Sequence, residues 1–437
     1  MRAMKDSGIY DGVEIPVSWD TMKFGKVCSV VTDFVASGSF ADLRENVPYL
    51  SEPDYAMLVR TTDLAKTARS EGKVYISKAS YEFLSNSNLF GGEIVLPNIG
   101  SIGDVYVVPK LYDRMSLAPN SIMFKTNYCD KYYYYYFLSK VGGLQLSEIS
   151  QSTAMAKFNK TDLKQIRVFL PSLAEQQRIA EFLDRKCAEV DEIIALQEQI
   201  IEELKAYKQS VITEAVTKGL NPAAPMRDSG IEWIGSIPEH WEVKRLKNVA
   251  DLNPTFNAQI EQDTLVAYMP MECLRNGIIQ ERIASYSEVA SYTPFKDGDV
   301  VMAKVTPCFE NGNIAVANNL QGGYGFGTSE IFVIRCGKEA HNKYVFYYLQ
   351  SAYIKNLGVS SMTGTGGLKR VNPTILNNSY FISPSVAEQQ AIADYLDEKC
   401  ADIDSLIQTK QQKIDSLKGY KKSIIYEYVT GKREVNE

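Results

Sequence analysis

Ala174-Glu175-Gln176-Gln177 opens a helix-patterned run that continues through Phe182-Leu183-Asp184 to about Val216. The run returns as Ala387-Glu388-Gln389-Gln390 with Tyr395-Leu396-Asp397. One constant offset in numbering then matches Lys186 with Lys399, Cys187 with Cys400, Asp191 with Asp404 and Tyr207 with Tyr420. Taken every three or four residues, the first copy gives Leu183, Cys187, Val190, Ile194, Gln197, Ile201, Leu204, Lys208 and Val211. The second gives Leu396, Cys400, Ile403, Ile407, Lys410, Ile414, Leu417, Lys421 and Ile424. This spacing is that of a coiled-coil seam, with polar breaks at matching places. A long helix without a partner would expose its apolar stripe, so the two copies are expected to bury theirs against each other. At about 1.5 Å per residue each would be roughly 65 Å long.

The repeat is larger than the helices. Asp6-Ser7-Gly8-Ile9, Ile15-Pro16 and Trp19 return as Asp228-Ser229-Gly230-Ile231, Ile237-Pro238 and Trp241. The chain therefore reads as two copies of one plan, a short lead, a globular segment and a long helix, with a period far too long for a solenoid. At 437 residues it exceeds one ordinary core. The segments are 1–170, a helix over 171–220, 221–384, and a second helix over 385–437. With 45% hydrophobic and 23% charged residues the composition is that of a soluble globular protein. No stretch has the apolar length a bilayer needs, and the first residues lack the apolar core of a signal peptide. Seven cysteines without a Cys-x-x-Cys pair argue against zinc clusters and disulfide frameworks, and point to a reduced, cytoplasmic protein. The net charge of −6 resides in the helical segments, which carry −4 and −2, whereas the globular segments carry +1 and −1 and can still present a basic face.

Short β-rich runs broken by Gly, Pro and Asn fill each globular segment and predict an α+β class. Glu93-Ile94-Val95-Leu96 and Asp104 to Val108 flank Pro97-Asn98-Ile99-Gly100. In the second copy Asp299 to Val305 and Asn313 to Val316 flank the turn from Pro307 to Gly312. Between the matched ends the two segments share little sequence, so the frame repeats while the interior differs. Tyr132 to Tyr136 with Phe137 invites a base-stacking reading. Its counterpart, Tyr344-Val345-Phe346-Tyr347-Tyr348-Leu349, has aliphatic residues at two of those positions, which favours a buried helix. Each module closes on small and basic residues: Gly142-Gly143, Ser152-Thr153-Ala154 and Lys157, then Thr363 to Gly367 with Lys369-Arg370. Such a turn suits phosphate approach or is an ordinary loop.

Catalytic signals are absent. Asn253-Pro254-Thr255-Phe256 and Asn372-Pro373-Thr374-Ile375 fall short of the Asn/Asp-Pro-Pro-aromatic of amino-methyltransferases and read as turns. No Gly-x-x-x-x-Gly-Lys-Ser/Thr is present. Asp228 with Glu242-Val243-Lys244 loosely suits a metal nuclease, but the matched Asp20-Thr21-Met22-Lys23 breaks the spacing. Two histidines leave little for imidazole acid–base work.

Taken together, Leu170-Pro171-Ser172-Leu173-Ala174-Glu175-Gln176-Gln177, Ser383-Pro384-Ser385-Val386-Ala387-Glu388-Gln389-Gln390, Ile237-Pro238-Glu239-His240-Trp241 and Gly298-Asp299-Val300-Val301-Met302-Ala303-Lys304-Val305-Thr306-Pro307 resemble the DNA-specificity subunit of type I restriction–modification systems. The resemblance covers essentially the whole chain. It implies two target recognition domains, each reading half of a split, asymmetric double-stranded DNA site. They would be held apart by a pseudo-twofold pair of long antiparallel coiled-coil helices; because Leu183 to Val211 is centred on Gln197 and Leu396 to Ile424 on Lys410, that twofold would bring the two polar residues face to face near the middle. It further implies that the helices dock modification subunits carrying S-adenosylmethionine, and that restriction subunits add ATP- and Mg2+-dependent translocation and cleavage. The chain itself would hold no catalytic residue, cofactor or metal. Candidate DNA-binding residues are Lys304, Thr306, Lys369 and Arg370 in the second module and Asn98, Ser101 and Lys157 in the first. Two rival readings are a coiled-coil scaffold joining two protein-binding modules, and a self-sufficient methyltransferase or nuclease with degenerate motifs.

Overall fold

The structure, a computed structural model, describes residues 2–65, 72–150, 156–365 and 367–435. Ser152-Thr153-Ala154 and Gly366 of the expected loops lie outside the described residues. The long runs form single helices, Leu173–Lys218 and Val386–Val429. The chain divides into two compact units, Met1–Gln197 with Gln412–Glu437, and Glu198–Gln411. Each unit thus takes one module, part of the helix that follows it in sequence, and part of the other helix. The units do not follow the segment boundaries read from sequence, because helix packing assigns the two ends of each helix to different cores.

In the first unit a four-stranded sheet runs Cys28–Asp33, Ser121–Thr126, Ile94–Pro97, Tyr106–Val107, all antiparallel. A second runs Tyr75–Ile76, Ala56–Val59, Met115–Leu117, Asn88–Leu89, and its middle pair is parallel. The second unit repeats both orders. Ala250–Leu252, Ile331–Cys336, Val300–Ala303 and Ile314–Val316 form the first sheet; Arg282–Ser285, Leu265–Met269, Tyr324–Gly327 and Thr293–Lys296 form the other, again with a parallel middle pair. The interiors that differ in sequence are therefore the same in topology, because many apolar sequences satisfy one strand order.

Val300–Ala303 shows why these strands read as unbroken apolar runs. Successive side chains of a strand point to opposite faces. Val300 and Met302 enter the core that includes the helices, while Val301 and Ala303 enter the core shared with the second sheet. Ile94 and Leu96 against Val95 do the same in the first unit. A strand buried on both faces shows no polar alternation.

Within each unit the two helices run antiparallel. In the first, Lys421 Nζ lies 2.7 Å from the Asp191 carboxylate and the Phe182 and Tyr428 rings are 4.3 Å apart. In the second, Lys208 Nζ lies 2.7 Å from Asp404, and Ile212, Ala215 and Val216 share a core with Ile392, Leu396 and Cys400. Leu183, Val190, Ile194, Gln197, Ile201, Leu396, Ile403 and Ile414 are buried, and Leu204, Ile407, Lys410 and Leu417 are half-buried. Gln197 belongs to the first unit, where it is buried, and Lys410 to the second, where it is half-buried.

The repeated Pro-Ser-x-Ala-Glu-Gln-Gln motif joins module to helix. Ser385 Oγ accepts from Glu388 N at 3.3 Å and Ser385 N donates to Glu388 Oε2 at 3.1 Å, a capping box. The first glutamine points inward. Gln389 Oε1 accepts from His341 N at 2.8 Å, and its Nε2 donates to the Glu339 and Pro384 carbonyls. Gln176 does the same with Cys129 N and the Pro171 carbonyl. The glutamate receives a buried tryptophan: Trp19 Nε1 donates to Glu175 at 2.9 Å, and Trp241 Nε1 to Glu388 at 3.2 Å. The second glutamine, Gln177 or Gln390, is exposed.

The tyrosine run is the expected buried helix, Asp130–Leu138, matched by Asn342–Leu349. Its hydroxyls bind both long helices. Tyr135 donates to Asp184 and Tyr347 to Asp397, each at 2.8 Å, where Lys131 and Lys343 form ion pairs with the same carboxylates. Tyr132 donates to the Val429 carbonyl and Tyr344 to that of Val216, each at 3.0 Å, supplying partners to carbonyls at helix C-termini that have none within the helix. Just beyond, Gly219 and Gly431 adopt φ of +76° and +68°, and a Cβ on either would approach Trp241 or Trp19 to 2.9 Å. Positive φ and the adjacent indole together require glycine.

Gln389→Ala should destabilise the protein by about 2 kcal/mol or more, since it orphans buried backbone groups, whereas exposed Gln390→Ala should stay within about 0.5 kcal/mol; chemical denaturation of both variants checks the contrast. Glu388 gives a pH signature. Burial works to raise its pKa, but hydrogen bonds from His240, Ser385 and Trp241 hold it down to about 2. A depressed folded-state pKa adds stability above the unfolded value, near 4.5, that is lost as pH falls toward 2. The deficit of Glu388→Gln relative to the parent should therefore be full at pH 7 and shrink across that acid window in thermal denaturation.

Candidate nucleic-acid interface

The four residues singled out in the second module meet at one place. Val300–Ala303 is a central strand, and the chain leaving it forms a bridge between Val305 and Arg370. Thr306 N donates to the Lys369 carbonyl and Lys369 N to Thr306 Oγ1, each at 2.9 Å, and Val371 N donates to the Lys304 carbonyl at 2.9 Å. The Thr306 hydroxyl also donates to the Lys369 carbonyl. Its polar group is thus engaged in holding the two segments together. Lys369 and Arg370 are exposed, and Lys304 is half-buried with Nζ 5.8 Å from the Phe332 ring centroid.

Paired backbone groups bracket the glycine run before Lys369. Thr363 and Arg370 exchange backbone hydrogen bonds at 2.9 and 3.1 Å, and a Cβ on Gly364 would lie 2.5 Å from the Leu368 carbonyl oxygen. This pairing fixes the backbone of Arg370.

Sequence reasoning missed Glu330. It precedes the strand Ile331–Cys336, which pairs Ile331 with Ala303 and so sets Glu330 beside Lys304. Its carboxylate takes Arg370 Nε at 2.8 Å and Nη2 at 2.9 Å. The Arg370 hydrogen bonds hold the Glu330 carboxyl below its usual range. No local signal joins residues 330 and 370; only the strand pairing does.

The first module builds the same bridge with other side chains. Ile99 pairs with Lys157, and Phe158 N donates to the Asn98 carbonyl at 3.1 Å, as Val371 does to Lys304. Asn98 Nδ2 donates to the Phe158 carbonyl at 2.9 Å, so this side chain ties the two segments together. Lys157 is exposed at the bridge, and Ser101 is exposed in the turn that follows Ile94–Pro97.

The family-like stretch from Gly298 to Pro307 divides by role. Asp299 is buried and bound by Arg335 at 2.7 and 2.8 Å and by Lys296 N at 2.9 Å. The residues through Ala303 are core, and only the exit from the strand reaches solvent. Both Asn-Pro tetrapeptides are structural. Asn372 caps Pro373–Asn377 by accepting from Thr374 N at 2.9 Å, and Asn253 Oδ1 accepts from Val333 N at 3.0 Å. Among the described residues no His, Cys, Asp and Glu group of three or more could hold a metal ion, and no helix is long and apolar enough to cross a membrane.

A family model described as the type I restriction modification DNA specificity domain matches residues 16–206 and again 238–418. The specificity subunit of the type I restriction enzyme EcoEI from Escherichia coli is 29% identical over 231 residues, which span 52% of this chain and 38% of that protein. The MjaVIII specificity subunit from Methanocaldococcus jannaschii is 26% identical over 456 residues, 97% of this chain and 95% of that one. A solved structure concerning complex assembly and conformational transition of the type I R-M system superposes with a TM-score of 0.68 at 16% identity, over 96% of this chain and 99% of that chain. The HsdS subunit from Thermoanaerobacter tengcongensis gives 0.50 at 16% identity, over 97% and 99%. At that identity the structural likeness speaks for the fold, while the family model covers most of the chain in two matching blocks. The chain belongs to the family of type I restriction modification DNA specificity domains.

Proposed function

We propose that each module reads one half of a two-part double-stranded DNA site, and that the chain delivers this address to partner subunits in the cytoplasm. The observation that carries the reading is the shared bridge: one backbone arrangement, at one topological position, presents Lys304, Lys369 and Arg370 in the second module and Lys157 in the first. A common frame with exchanged side chains is what two unlike half-sites require. Cations near phosphates set register, and side chains at base edges set sequence. The catalytic steps fall to partners. Modification subunits would bring S-adenosylmethionine to methylate adenine, and restriction subunits would use ATP and Mg2+. Family membership and the paired helices support docking of those subunits.

The test is assembly of the full chain with its modification subunits, followed by mapping of methylated adenines. A bipartite motif that disappears when this chain is omitted supports the proposal; methylation by the purified chain alone would overturn the non-catalytic reading. Alanine at Lys304, Lys369 and Arg370 together should weaken the assembled complex on its site, and reduce the magnitude of the salt slope by about one for each phosphate left without its cation. Unchanged affinity and slope would remove these residues from the interface.

The same reading makes the helices the spacer between half-sites. One heptad inserted after Gln197 and one after Gln411 preserves the seam phase and adds about 10 Å of helix, or about three base pairs at 3.4 Å each. The methylated motif should keep both halves and widen its gap by that amount. A variant that still modifies only the original spacing would show that the helices do not set it.

A further inference from the structure

Arg370 and Glu330 form a side-on pair at the exposed end of the second module's bridge. Nε and Nη2 of the guanidinium are bound at 2.8 and 2.9 Å. A guanidinium has five N–H donors, so Nη1 and the outer N–H of Nη2 keep a two-donor edge directed away from the carboxylate. The backbone is pinned on both sides, to Thr363 and to Val305. The side chain is therefore held in both position and plane.

The charge balance separates this pair from its neighbours. Arg370 with Glu330 is formally neutral, and a carboxylate against the guanidinium repels a phosphate. Lys369 is exposed and has no ion pair among the described residues, whereas Lys304 is half-buried and shares the charge of Glu330. An uncompensated ammonium such as that of Lys369 suits the DNA backbone, whereas an oriented two-donor fork matches the O6 and N7 acceptors of guanine in the major groove. Resting on the DNA-reading role proposed above, we infer that Arg370, oriented by Glu330 as a positioning residue, reads a guanine in the half-site of the second module. In the first module the equivalent position holds Lys157, whose single ammonium cannot form the fork. The two half-sites are thus read by different chemistry from one frame.

The experiment uses the full chain assembled with modification subunits, acting on DNA libraries randomised in each half-site in turn. Arg370→Lys keeps the charge and loses the fork. It should cut discrimination at one G·C position of the second half-site about tenfold or more, and leave preferences in the first half-site intact. Glu330→Gln should relax that same position to a smaller degree. Lys369→Ala should weaken all sequences alike. Equal losses across all sequences with Arg370→Lys, or no change at any position, would overturn the assignment. Should Arg370→Lys fail to fold by thermal denaturation, the position affected by Glu330→Gln decides it. If the Lys304, Lys369 and Arg370 triple alanine variant alters recognition while both single variants do not, only this inference fails. If the triple variant alters nothing, the proposed interface fails with it.

Discussion

The structure depends on a buried glutamine at the start of each long helix. Gln389 fixes the first turn of its helix to the segment entering Asn342–Leu349, through His341 N and the Glu339 carbonyl; Gln176 does the corresponding work at Cys129. The tyrosine helix then reaches both long helices, with one hydroxyl on an aspartate near the N-terminal end of one and another on a C-terminal carbonyl of the other. Buried polar groups of this kind are costly unless matched, so they permit one docking geometry where apolar packing alone would tolerate several. The positions of the sheets follow from that docking.

Each central strand is committed to two cores at once. Val300 and Met302 face one, Val301 and Ala303 the other, so none of them can serve recognition. Freedom to vary begins where the strand ends. There the bridge retains its backbone hydrogen bonds whatever side chains it carries, since they run from N–H to C=O. Lys304 and Arg370 in one module and Asn98 and Lys157 in the other occupy the same frame. Such positions can be altered without disturbing either core.

The acidity of the chain is consistent with this division. Several helix carboxylates are engaged: Asp184 and Asp397 hold the tyrosine helices, Asp191 and Asp404 hold lysines of the opposite helix, and Glu175 and Glu388 hold tryptophans. Part of the negative charge is thus structural, while at the second bridge the cations outnumber Glu330.

The two helices, their seam, the duplicated plan and the burial of the tyrosine run were legible in the chain, because helical period and exact recurrence are local or register-preserving signals. Lys304 and Thr306 were picked out by motif, and Lys369 and Arg370 by charge, as two separate stretches; their meeting at one bridge is a matter of the tertiary structure. What only the tertiary structure decided depends on contacts between distant segments. Trp19 meets Glu175 and Arg370 meets Glu330 because strands pair and helices dock, and no local pattern encodes those partners. The common topology of the two interiors was hidden because short buried strands constrain hydrophobicity and hardly constrain identity. The ion pairs between the helices were hidden for a related reason: the seam repeats every few residues, so its apolar pattern does not say which aspartate meets which lysine, as Asp191 meets Lys421 and Asp404 meets Lys208.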